Sequence, residues 1–162
     1  MTIVVRIATD ADLDALVRLN QVVQSVHAEL YPDDFAPMVD ADGLKALLGP
    51  RMENIAIAEI DGEPVGYVWC EVQSRPASPF SPAHRRLYVH HLSVSPDARR
   101  HGVASTLMAH AEALAEGAEL DEIALSHWAA NTDAQKFFVA QGFAPYMLLL
   151  RKKLSDTLED DA

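Results

Sequence analysis

A chain of 162 residues, 49% of them apolar and with no long apolar run, has the material for one globular core and is expected to hold no membrane span. Its formal charge of −11 argues against nonspecific DNA or RNA binding, which depends on dense Lys and Arg, and makes amines the better-matched partners. The single cysteine, Cys70, cannot form an internal disulfide, and the first six residues lack a signal-peptide pattern, so a cytoplasmic setting is expected.

In chain order, residues 3–8 read as a first strand. Thr9 and Asp12 then make a capping-box-like start to a helix whose apolar positions Leu13, Leu16, Val17, Val23 and Val26 follow helical spacing. Tyr31, Pro32 and Pro37 end it, and a shorter helix over 41–48 stops at Gly49-Pro50. Residues 54–60 and the strand over 65–72 form a hairpin about Asp61-Gly62, with Pro64 at a strand start and Cys70 as a small buried side chain. The Pro- and Ser-rich stretch 73–86, with Phe80 at its centre, reads as a loop too long for an ordinary hairpin connection, hence functional or mobile. A strand over 87–94, an amphipathic helix over 103–116 and a strand over 122–127 follow. A helix over 132–141, started by Thr132 and Gln135 and capped by Gly142, leads to one or two closing strands over 143–154. Residues 1–154 are expected to form one domain, and 155–162 an acidic tail with Glu159, Asp160 and Asp161. This order predicts a mixed α/β fold, a twisted sheet with helices on both faces.

The densest signal lies between the strand end at Leu92 and Val94 and the helix that opens at Val103. Amides of a turn and of the first helical turn lack intrahelical partners, and the helix dipole places about half a positive charge behind them, so the stretch suits a pyrophosphate. Gly102 permits close backbone approach or a positive φ, and Ala104 keeps the next approach small. Arg99 and Arg100 add cationic donors. No His/Cys/Asp cluster has metal-ligand spacing, so no metal is expected. Neither glycine-rich nucleotide fingerprint occurs.

The spacing Arg99-x-x-Gly102-x-Ala104 resembles the acyl-CoA signature of the GNAT superfamily of N-acyltransferases. Downstream, Asn131-x-x-Ala134 and Phe137-Phe138-x-x-x-Gly142-Phe143 resemble a further segment of that family, so the likeness covers most of the chain. It implies a GNAT-type, mostly antiparallel sheet whose central strands splay apart, with acetyl-CoA as co-substrate. It further implies that Arg99, Arg100, His101, Gly102, Val103, Ala104 and Ser105 hold the pyrophosphate, while backbone groups of Leu92 and Val94 pair with the pantetheine arm. Asn131 and Phe138 are expected beside that arm, and a homodimer is a family-level expectation.

Acyl transfer to an amine needs a proton acceptor, because an ammonium has no lone pair with which to attack. A histidine suits that task, and His90 and His91 precede Leu92. Strand alternation puts Tyr88, His90 and Leu92 on one face and Val89, His91 and Ser93 on the other, unless a bulge intervenes. His90 is the expected base, as the resemblance to serotonin-type N-acetyltransferases also implies; histone-type members carry a glutamate where Tyr88 stands. His91 is expected to pack. Phe138 occupies the place of a tyrosine that protonates the departing thiolate in many members, leaving water, Tyr88 or Tyr146 for that role. His27, Tyr31, Phe35, Phe80 and Trp128 are candidates to line an acceptor site over the sheet, and Arg85-Arg86 either meet an acidic substrate group or solvate the loop. The sequence therefore points to an N-acetyltransferase of a small primary amine. Two rivals stay open: a non-catalytic acyl-CoA sensor, and an enzyme acting on a protein N-terminus or lysine.

Overall fold

Five strands and four α-helices succeed one another in the computed structural model, which describes residues 1–154. They are β1 (Ile3–Ile7), α1 (Leu13–Leu30), α2 (Ala41–Leu48), β2 (Ile55–Ile60), β3 (Glu63–Arg75), β4 (His84–Val94), α3 (Val103–Gly117), β5 (Ile123–Leu125) and α4 (Thr132–Ala140). The chain divides into two units: Met1–Asn131, with the whole sheet and α1 to α3, and a second that begins at Thr132 and carries α4. In that second unit the Phe138 ring meets Phe137 and Phe143 at centroid distances of 5.3 and 5.7 Å. The acidic tail lies outside the described residues.

The sheet has the order β1-β2-β3-β4-β5. Its first three pairings are antiparallel, and β4 with β5 is parallel. Asp61 and Gly62 both take positive φ, 52° and 81°, the geometry whose twist suits a two-residue hairpin turn between β2 and β3. One face of the sheet is sealed by α1 and α2 through a core that includes Leu16, Leu19, Leu48, Ile55, Ile57, Tyr67 and Trp69. The opposite face receives α3, whose Val103, Leu107, Met108 and Ala111 are buried. The helix sits close there: a Cβ on Gly66 of β3 would lie 3.1 Å from Val103 and 2.9 Å from the Ser93 carbonyl.

The entry to α1 is tied to the sheet by charge. Asp12 accepts the Thr9 N–H at 2.8 Å and two bonds from the Arg6 guanidinium at 2.8 Å, and Arg6 also bonds Glu59 of β2. The guanidinium, helped by the Thr9 amide, holds the Asp12 carboxyl at about 2. Lowering a folded-state carboxyl pKa stabilises above the unfolded value of 3.8, and that contribution disappears as pH falls through about 2. Because Arg6 is over a third exposed, solvent screening trims the gain to on the order of 1 to 2 kcal/mol. Asp12→Asn is expected to lower stability by that amount in urea unfolding at pH 7 and to match the parent near pH 2.

Three expectations change. The 73–86 loop shrinks to residues 76–83, because β3 and β4 continue their pairing out to Arg75 and His84, and a Ser78–Ser81 bridge tightens the tip. The closing strands expected over 143–154 are absent: those residues carry no strand, and Tyr146, Met147, Leu148, Leu149 and Leu150 are exposed. Four consecutive apolar residues after Tyr146 lack the period-two alternation that pairs one face of a strand with a core. The third change concerns β4 itself.

Candidate active site

A bulge in β4 decides which groups share a face. Cys70 pairs with Val89 and Trp69 with His91, so His90 is the extra residue. Strict alternation would send His91 and Ser93 away from Tyr88 and His90; the inserted residue cancels that. His91 bonds Tyr67 and lies 3.4 Å from Asn20 of α1, and the Ser93 hydroxyl donates to the Leu19 carbonyl at 2.7 Å. Both histidines meet the Trp69 ring, His90 stacked at 4.3 Å and His91 edge-on at 4.9 Å. The expected division of the two between opposite faces is thus corrected: Tyr88, His90, His91 and Ser93 stand together on the α1 side, and Leu92 leaves it.

The same bulge re-aims the backbone. The Leu87 N–H bonds Glu122 and the Ser95 N–H bonds Val65, so β4 faces β5 with odd residues before His90 and faces β3 with odd residues after it. Leu92 and Val94 therefore turn their N–H and C=O groups toward the β5 side. There β5 offers no partner, because its pairing stops at Val89 with Leu125. The pairing of the two strands ends at that point, and β4 continues as a row of backbone groups without a strand partner on that side, up to the turn before α3.

That turn leaves the amides at the start of α3 without intrahelical partners. After a 3-10 turn at Pro96–Ala98, Arg100 takes φ 64° and Gly102 φ 83°, and α3 starts at Val103 with Gly102 as its N-cap. The Gly102 carbonyl is used by the Thr106 N–H and hydroxyl, while the amides of Val103 and Ala104 have no intrahelical acceptor. A Cβ on Gly102 would point into open space, so backbone there is approachable from outside. Arg99, Arg100, His101 and Gly102 are exposed, and the first three side chains make no hydrogen bond or ion pair among the described residues. Ser105 lies in the first turn of α3.

Around the histidines the partners are specific. Asn20 donates to the Tyr67 hydroxyl at 2.8 Å, and that buried hydroxyl lies 2.9 Å from His91 Nδ1; with its acceptor side met by Asn20, the Tyr67 proton has His91 Nδ1 as its acceptor. This chain places the His91 proton on Nε2 and occupies its one lone pair. Burial, together with His90 and His27 nearby, lowers His91 to about 4, so it is neutral at physiological pH. His90 is 26% exposed along its side chain, and its Nε2 sits 3.2 Å from Glu71 Oε2. Glu71 also accepts the Trp69 Nε1–H at 3.2 Å and lies 3.5 Å from Arg51 Nε. Tyr88 packs edge-on to His90 and shares a 3.0 Å hydrogen bond with Ser126 beyond β5. Burial pushes the Cys70 thiol up to about 12, consistent with an inert core side chain.

Beside this group stands an aromatic wall. Phe35 lies 4.9 Å from His27 and 5.0 Å from Trp128, and Tyr31 lies 5.1 Å from Trp128. The Tyr31 hydroxyl accepts the Ala130 N–H at 2.8 Å, which fixes the segment after β5 against the end of α1, and Asn131 turns there by donating to the Trp128 carbonyl. Trp128 remains 41% exposed. Phe80 is not among these residues: it stands 97% exposed at the β3–β4 tip. Arg86 stays on β4, bonding Gln73 and stacking over Tyr88, and Tyr146 is exposed in the second unit. Sequence reasoning missed Asn20, Arg51, Tyr67, Trp69 and Glu71, although Tyr67, Trp69 and Glu71 alternate along one strand face toward the histidines. No group of three or more potential metal ligands occurs among the described residues, and no helix there is long and apolar enough to cross a membrane.

A mixed sheet whose β4–β5 pairing stops at Val89, with the β4 edge beyond it leading into the N-terminus of α3, fits an acetyltransferase of the GNAT type. The family model for the acetyltransferase (GNAT) family matches residues 16–143, and the chain belongs to that family. Among solved structures, a point mutant of the BH1408 protein from Bacillus halodurans superposes with a TM-score of 0.85 at 18% identity, over 93% of this chain and 99% of that one. The aminoglycoside N-acetyltransferase AAC(6')-Iy in complex with CoA gives 0.71 at 19% identity, over 94% and 95%. A "predicted acetyltransferase" with acetyl-CoA from Clostridium acetobutylicum gives 0.68 at 18% identity, over 96% and 98%. A search of curated proteins returns no match.

Proposed function

We propose that the protein is an acetyl-CoA-dependent N-acetyltransferase that acetylates a small primary amine by direct attack in a ternary complex. The observation that carries this reading is the unpartnered β4 edge at Leu92 and Val94, running into the αL turn at Gly102 while His90 stands beside it on the α1 face. Neighbouring folds crystallised with CoA or acetyl-CoA support the choice of co-substrate.

In this reading the amides at the start of α3, with Arg99 and Arg100, hold the pyrophosphate, and Leu92 and Val94 align the extended arm by strand-like hydrogen bonds. The thioester supplies the electrophile. His90 takes one proton of the ammonium, freeing the lone pair that forms the C–N bond; as the C–S bond breaks the nitrogen gives up its second proton to water, and the thiolate is protonated from water or by Tyr88. His91, whose lone pair is engaged by Tyr67, is the poorer acceptor. The half-exposed wall of His27, Tyr31, Phe35 and Trp128 favours an acceptor with an apolar or aromatic body. Asn131 and Phe138 are assigned to the arm on the family resemblance.

An amine panel assayed for CoA release from acetyl-CoA is the direct test. Turnover with at least one small primary amine is expected. CoA binding without release for any amine would establish the sensor reading, and turnover confined to peptide N-termini or lysines would establish the protein-modifying one.

A further inference from the structure

We propose that Glu71 is a positioning residue that fixes the tautomer of His90, so that Nδ1 and not Nε2 receives the proton of the amine. The inference rests on the assignment of His90 as the base and adds a residue that the sequence did not single out. His90 Nε2 is shielded from solvent and makes no aligned hydrogen bond, and the polar atom it meets is Glu71 Oε2 at 3.2 Å. An ionised carboxylate has only lone pairs to offer. A bare Nε2 lone pair held against it, away from water, would be repelled, whereas an N–H there is attracted, so the neutral ring keeps its proton on Nε2 and its basic lone pair on Nδ1.

Glu71 is itself held. Its Oε1 accepts the Trp69 indole N–H and lies near Arg51, which leaves Oε2 for His90. The His90 ring is clamped flat on Trp69, 24° from parallel, with Tyr88 against it from the side, so the ring cannot readily turn its other nitrogen to the carboxylate. The charged and titratable groups around it are Glu71 on β3, Tyr88 and His91 on β4, Arg51 in the 3-10 stretch before β2, and His27 of α1 acting through His91. Of these, Glu71 is the anion within reach of the ring. The two histidines thereby separate by chemistry: both carry their proton on Nε2, His91 has spent its Nδ1 on Tyr67, and His90 keeps its Nδ1 free.

The test is nitrogen-15 NMR of the imidazole side chains in the intact protein, with His90→Ala assigning the signals and Glu71→Gln as the perturbing variant. The parent is expected to give the Nε2–H pattern at His90. Glu71→Gln, whose amide can donate as well as accept, is expected to mix the tautomers and to lower kcat by on the order of tenfold with acetyl-CoA affinity unchanged. A parent spectrum with the proton on Nδ1 would overturn the proposal, and so would a Glu71→Gln protein that retains both pure tautomer and full kcat. Should Glu71→Gln fail to fold, the parent spectrum alone still decides. A pure Nε2–H tautomer lost in Glu71→Gln, combined with undiminished kcat in His90→Ala, would uphold the Glu71–His90 coupling and remove the base assignment instead.

Discussion

His90→Ala is expected to lower kcat with an identified amine by about 10² or more while leaving acetyl-CoA affinity nearly intact. The ring touches the amine side of the proposed site, over Trp69 and Glu71, and stands apart from the amides of α3. Loss confined to kcat is the signature of a group that acts in the transition state. His91→Gln gives the contrast: its lone pair is already committed to Tyr67, so the change should fall mainly on stability, with kcat within a few fold of the parent. Rates measured across roughly pH 6 to 9 decide between them. Normal turnover of His90→Ala over that range would mean that the amine arrives neutral or loses its proton elsewhere.

The elements were legible because their periodicities are clean. The short helix over 41–48 ends where Gly49-Pro50 stops it, the 61–62 turn carries the residue pair that tolerates positive φ, and the stretch from Leu92 to Ala104 combines strand end, glycine and helix start in sequence order. The bulge at His90 was not legible, since one inserted residue changes no composition and no motif; it is set by pairing with Trp69 and Cys70, residues about twenty positions away. Everything that depends on parity beyond it shifted in consequence, including the face of His91 and Leu92. Glu71 and Trp69 escaped notice for the same reason, because their value comes from contact with a neighbouring strand. The run after Tyr146 misled in the other direction: apolar content alone suggested strands where the alternation that specifies a face is missing.

Gly102→Val is expected to weaken CoA binding by tenfold or more, read by titration calorimetry against a parent that binds at the same site. Gly102 sits at φ 83°, in the left-handed region that a β-branched residue enters only at a cost of about 1 to 3 kcal/mol. A valine can relieve that strain by moving the turn, which carries the amides of Val103 and Ala104 out of line, or keep the turn and place its methyl groups in the open space above them. Either response obstructs the pyrophosphate. The position is exposed and a Cβ meets nothing within 4 Å, so the fold itself should survive with only a modest loss of melting temperature. Arg99→Ala removes one charged donor and leaves the amides in place, at a cost on the order of 1 to 3 kcal/mol. A ranking in which Gly102→Val binds as tightly as the parent would show that the anion rests elsewhere; a loss at Gly102 with kcat preserved at saturating acetyl-CoA would place this turn in binding and leave the proton chemistry to β4.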